Sequence, residues 1–250
     1  MGFRFEVDEP VRVATHPARP RATITVRWRG EDVGDVYGEN IYAVSGFITR
    51  QRESSLAREG FELIPMDTLA DWRMAGFGTF GRAGPSTLES DAGPGILWYT
   101  REEFADFELV VDWRTSSPED NAGVFLRIPA LRCDDPENDW KPAVDEGYKV
   151  QIDDRGVDPE TGATGSAWHR TGAIYRLAPA LVVASHPTGV WNTFEVEARE
   201  STITVALNGV PVSRLSGSDG RRRRTGYLGL QAHHPGARVR FRNLQIKRLE

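Results

Sequence analysis

No long run of this chain repeats its apolar residues every 3.6 positions. Short alternating segments, broken by glycine, proline and asparagine, follow one another to the C-terminus instead. That rhythm points to an all-β fold, a sandwich or jelly roll of two antiparallel sheets. The C-terminal third carries it most plainly, in VWNTFEVEAR, TITVALNGVPVSRL, TGYLGLQAHH and ARVRFRNLQIKRL, with a hairpin turn expected at Asn208-Gly209. Further back, FADFELVVDWRTS reads as a long strand with Phe107, Leu109, Val111 and Trp113 on one side. NAGVFLRIP places Val124 and Leu126 on one face and Phe125 and Arg127 on the other. No tandem repeat is visible.

The N-terminal part is less regular. Residues 1–20 read as an extended lead-in rich in proline and arginine, and ATITVRWR as a strand. GEDVGDVYGEN breaks the pattern, IYAVSGFITR resumes it, and QRESSLAREG is a polar stretch of one helical turn or linker. A soft boundary falls near Gly60. Residues 1–60 would form a β-rich extension or small extra unit, and residues 61–250 the main sandwich.

One strand stands apart. In GYKVQIDDRG, Tyr148, Val150 and Ile152 alternate with Lys149, Gln151 and Asp153. Successive side chains of a strand point to opposite faces, so a cation, an amide and a carboxylate share one surface. Such a row makes poor core; it is either a solvated face or the floor of a polar site.

The totals narrow the partners. A net charge of −5 argues against a general nucleic-acid or anionic-membrane binder. No apolar run reaches membrane-spanning length, so membrane insertion is not expected. The single cysteine, Cys133, allows no internal disulfide and no cysteine-based zinc cluster. MGFRFEVDEP lacks the apolar core of a secretory signal, which leaves a cytoplasmic protein or a domain cut from a longer exported chain.

Eight segments, FADFELVVDWR, NAGVFLR, GYKVQIDD, TGAIY, GVWN, ALNG, YLGLQAHH and VRFRNLQIKRL, fall in one order across residues 61–250. In that order they resemble the 3-keto-disaccharide hydrolase family, whose fold is the concanavalin A-like lectin/glucanase sandwich. The chain departs from the family twice, with Lys149 where a glutamate is usual and with Gln231-Ala232-His233-His234 where an acid usually follows the glutamine.

The resemblance implies a sugar oxidised at C3. The ketone acidifies the C2 proton, and the aglycone oxygen on C1 lies β to the carbonyl, so elimination followed by water addition can cleave the glycoside. This needs a base at C2, a partner for the enolate oxygen and an acid for the leaving group. The candidates are Asp153 or His233 as base, Arg127, Lys149 or Gln151 for the enolate, and Tyr175 or His169 for the leaving group. Gln151, Gln231 and Lys149 are expected to bind sugar hydroxyls, and Trp140, in a loop polar on both sides, to stack on a ring. Each has an ordinary reading too: Arg127 as a strand-end cation, Lys149 as the surface partner of Asp153 or Asp154, His169 as an exposed loop histidine.

Two adjacent carboxylates, Asp153 and Asp154, point apart unless a bulge re-aims one, which weakens a two-carboxylate glycosidase. The acidic loops at 134–146 and 153–160 suit a divalent metal such as calcium in ligand type, though not in EF-hand spacing. Arg221 to Arg224 would cap a hairpin loop. Beside the enzyme stand a non-catalytic carbohydrate-binding module and an interaction domain of a larger protein.

Overall fold

Alternating apolar residues become the inner faces of two sheets. The computed structural model describes residues 57–217 and 220–250, together with the backbone of three N-terminal strands. The chain divides into two units, residues 1–52 and 53–250. In the first, β1 (Val13–His16), β2 (Arg19–Trp28) and β3 (Glu31–Tyr37) form an antiparallel sheet in that order. The segment expected to break the pattern therefore forms β3. Among the described residues it pairs with β2 alone, and an edge strand tolerates glycine and charge. The lead-in up to residue 12, IYAVSGFITR and the start of QRESSLAREG lie outside the described residues.

The second unit holds β4 (Glu62–Leu63), β5 (Trp72–Gly76), β6 (Thr79–Gly84), β7 (Thr87–Asp91), β8 (Gly95–Phe104), β9 (Phe107–Thr115), β10 (Ala122–Ile128) and α1 (Lys141–Glu146). After them come β11 (Tyr148–Ile152), β12 (Asn192–Arg199), β13 (Thr202–Leu207), β14 (Val210–Leu215), β15 (Gly226–Ala232) and β16 (Val239–Arg248). One sheet runs β11-β10-β15-β8-β5; the other runs β14-β13-β12-β9-β16-β7-β6, with β4 also paired to β16. All pairings are antiparallel. This is a concanavalin A-like jelly-roll sandwich.

Phe107, Leu109, Val111 and Trp113 of β9 meet Val124, Leu126, Tyr148, Val150 and Ile152 of the facing sheet in one core, all at most 2% exposed. Burying each such side chain contributes about 1.5–3 kcal/mol. Asn208 and Gly209 join β13 to β14 with φ of +54° and +79°, the positive pair that a two-residue hairpin turn requires.

Among the register shifts, two carry a positive-φ residue inside a long strand. In β16, Val239 and Phe241 face the core, and so do Leu244 and Ile246. Asn243, at φ +54°, absorbs the odd residue where the register to β9 shifts. In β10, the shift lies between Phe125 and Ile128, with Arg127 at φ +51°. The acidic segment expected to be only a loop contains α1, with a proline in its first turn, where a missing N–H costs nothing. Arg222 anchors the end of α1 through Val144 O (2.7 Å) and Gly147 O. Among the described residues no helix is long and apolar enough to cross a membrane.

Candidate functional site

The outer face of the five-stranded sheet is apolar at one end and polar at the other. At the apolar end, Ala75, Ile96, Trp98, Phe125, Ile128 and Leu131 pack with Ala143 of α1, and Trp140 lies against them. The polar end follows from register. β11 lays Gln151 opposite Gly123 and Lys149 opposite Phe125, while β15 lays Gln231 opposite Ile96. Lys149, Gln151, Gln231 and Asp153 are all buried. The row read from the sequence is thus real, and it is covered rather than solvated.

Gly123 makes room for Lys149. A Cβ at Gly123 would stand 2.8 Å from Lys149 Cγ and closer still to Cε, so the lysine stem crosses the strand where a side chain is missing. Lys149 Nζ ends 4.8 Å from the centroid of the Tyr175 ring, a cation–π contact. It makes no hydrogen bond or ion pair with another described residue. Burial pushes its pKa down from 10.5 to about 7, against the opposing charge of Asp153.

Tyr175 arrives on a segment that extends the sheet beyond β11. Tyr175 N donates to Lys149 O (2.8 Å), Gly172 N to Gln151 O (2.9 Å), and Gln151 N to Ala173 O (2.9 Å). Behind Tyr175, the His169 ring stands edge-on at 5.3 Å, and His169 Nδ1 shares a 2.8 Å hydrogen bond with Ser166 Oγ. His169, expected to be exposed unless functional, is buried and supports Tyr175.

Asp153 has little capacity left for chemistry. Its Oδ1 accepts from Arg155 N (3.1 Å) and Gly156 N (3.2 Å); its Oδ2 accepts from Val157 N (3.1 Å) and Asn121 Nδ2 (3.1 Å). Burial nevertheless raises its pKa. It organises the loop after β11. Asp154 points elsewhere, to Thr171 Oγ1 at 2.6 Å.

His233 follows β15 and is half-buried, with its Nδ1 3.0 Å from Nδ1 of His234, so one ring donates and the other accepts. Burial, then the Lys149 charge, then His234 push its pKa from 6.5 to about 3, so at neutral pH the ring is uncharged. Two acceptors on this face, Gln151 Oε1 and Gln231 Oε1, are buried without a hydrogen-bond partner, and so are two donors, Trp98 Nε1 and Trp140 Nε1. An unpaired buried polar atom costs about 1–3 kcal/mol, which a ligand hydroxyl can recover.

The structure does not bring Arg127 to this group. The bulge turns it away from the face that strict alternation assigns it, and its guanidinium is fully buried. It donates to Ala105 O (2.7 Å), Glu200 O (2.7 Å) and Asp106 Oδ1 (3.1 Å), tying β10 to two turns. In the 134–146 loop, Asp139 Oδ2 accepts from Asp134 N and Asp135 N, and the Asp134 carboxylate pairs with Arg132. Among the described residues, no cluster of three or more histidine, cysteine or acidic side chains is placed to hold a metal ion.

Sequence reasoning missed Gly123 and Asn121. The glycine in an otherwise apolar strand was a usable signal of close approach. Asn121, which bonds to both Asp153 and Gln151 Nε2 (3.4 Å), left none, because its role depends on register.

A family model, the 3-keto-alpha-glucoside-1,2-lyase-like domain, matches residues 62–247. A protein of Bacteroides thetaiotaomicron named 3-keto-disaccharide hydrolase is 22% identical over 199 residues, covering 68% of this chain and 67% of its own length. A solved structure of a candidate glycosyl hydrolase from Parabacteroides distasonis superposes with a TM-score of 0.57 at 22% identity, covering 76% of this chain and 99% of that one. A second from the same organism gives 0.56 at 18% identity, covering 80% and 93%. These two structural likenesses speak to the fold alone.

Proposed function

The chain belongs to the 3-keto-alpha-glucoside-1,2-lyase-like family, and on that premise we propose that it cleaves 3-keto glycosides or disaccharides by elimination. The observation that carries the reading is the buried, unpaired amine of Lys149, set between the Tyr175 ring and the polar row of Gln151 and Gln231. A ketone at C3 seated against Lys149 Nζ meets an electrophilic partner for its oxygen. His233, uncharged at neutral pH, faces the C2 proton. Gln151 and Gln231 accept from sugar hydroxyls, and the Tyr175 hydroxyl serves the leaving oxygen. Trp140 and Trp98 offer an aromatic end to the same face for a second ring.

A second reading, sugar binding without cleavage, draws support from one observation. Asp153 is committed to four N–H donors, which leaves no free pair of carboxylates for ordinary glycoside hydrolysis.

The test is release of a chromogenic aglycone from a 3-keto-glucoside beside the unoxidised glucoside. Cleavage of the keto substrate alone is expected. Turnover of both substrates overturns the elimination reading, and silence on both, from protein that calorimetry shows to be folded and to bind sugar, leaves the binding module.

A further inference from the structure

The chain contains only three lysines, Lys141, Lys149 and Lys247, against 28 arginines. One of the three is the cation buried in the candidate site. An arginine keeps its proton at any physiological pH, whereas a buried lysine can lose it. Only an uncharged amine has the lone pair that attacks a carbonyl.

We infer that Lys149 acts as a covalent catalyst, its amine condensing with the ketone of a keto sugar to form an iminium. The geometry provides for each need of that step. Nζ makes no ion pair or hydrogen bond with a described residue that would hold it protonated or turn it aside. The bare Cα of Gly123 leaves space along the lysine stem, and the Tyr175 ring lies against Nζ and favours the cation once it forms. The low proton affinity that burial imposes on Lys149, near pH 7, leaves a large fraction of the amine free.

The inference rests on the keto-glycoside reading and resolves a weakness in it. His233, with a pKa near 3, is too weak a base to take a C2 proton from a simple ketone. An iminium at C3 is a much stronger electron sink. Nζ attacks C3, and with one proton taken up from water the carbonyl oxygen departs as water, leaving an N-protonated C3=N cation. His233 takes the proton from C2, the C–H electron pair forms C2=C3, and the C=N pair returns to nitrogen as an enamine. The enamine then expels the aglycone oxygen from C1, which leaves with the proton that His233 took from C2, and a C1=C2 bond forms conjugated to C3=N. Water hydrolyses the iminium, restores the ketone, frees Lys149 and returns the proton taken up at condensation. At deprotonation the positive charge passes from Nζ to His233, so the buried site creates no net charge. The same transfer removes the lysine charge that weakens His233.

The test incubates the full chain with a chromogenic 3-keto-glucoside and sodium cyanoborohydride, which reduces iminium ions and spares ketones. Peptide mapping by mass spectrometry follows. The expected result is a sugar-derived secondary amine on Lys149 and loss of aglycone release in step with labelling. Folded Lys149→Met and Lys149→Arg proteins should neither label nor turn over. Undiminished release with no label on Lys149, release by folded Lys149→Met, or equal labelling of Lys141 and Lys247 overturns the inference. Labelling of Lys149 without any release keeps the covalent capture and removes the lyase reading; neither label nor release removes both.

Discussion

Lys149 answers to two opposed requirements. Chemistry at a carbonyl asks for a dry, uncharged amine, while stability disfavours any ammonium 6% exposed beneath a loop. The cost has a defined pH window. Below pH 7 the lysine is charged in the folded and unfolded chain alike, and the folded state bears the burial penalty in full. Between pH 7 and 10.5 the unfolded chain holds a proton that the folded chain has released, so stability rises with pH at about 1.4 kcal/mol per unit for this group. Lys149→Met keeps the length of the stem and never charges. The variant should therefore be inactive yet more stable than the parent, by a few kcal/mol at pH 6, and the difference should close by pH 10. Urea unfolding at pH 6, 8 and 10 reads this directly. Equal stability at pH 6, or a difference that widens with pH, contradicts the burial described for Lys149.

At the level of elements, legibility followed alternation and ended at the bulges. β9, β11 and β12 keep strict parity, so their inner residues and the Lys149–Gln151–Asp153 row could be read directly from the chain. β10 could not. Nothing in Phe125-Leu126-Arg127-Ile128 announces an αL residue, whereas Asn243 in β16 is at least a residue that tolerates one. That Gly123 stands beside Lys149 was equally hidden, because it reaches the lysine through strand register, a tertiary property. The bulge makes Arg127 a structural tie, with two backbone carbonyls and Asp106 depending on it. Arg127→Met should cost about 2–3 kcal/mol in urea unfolding, since a half-buried ion pair is broken and two carbonyls lose their donor. Aglycone release per folded molecule should stay unchanged. A stable variant with lost activity would return Arg127 to the site.

For the whole molecule, every residue of the candidate site comes from the unit spanning 53–250, and the residues that close its core begin earlier than the regular strand rhythm suggests. Arg58 N donates to Gln245 Oε1 (2.7 Å), β4 pairs with β16, and Ile64 and Met66 sit in the core at 5% and 4% exposure. A boundary near Gly60 cuts between Arg58 and β4, while a cut before Glu53 keeps both. A fragment of residues 53–250 should thus unfold cooperatively and release aglycone like the full chain. A fragment starting at residue 67 loses β4 together with Ile64 and Met66, each worth about 1.5–3 kcal/mol of burial, and should be less stable by roughly 3–6 kcal/mol. Calorimetry on the two fragments, with the release assay beside it, separates the contributions. If residues 53–250 fold but do not turn over while the full chain does, the first 52 residues take part in catalysis, and the site drawn from the sandwich alone is incomplete.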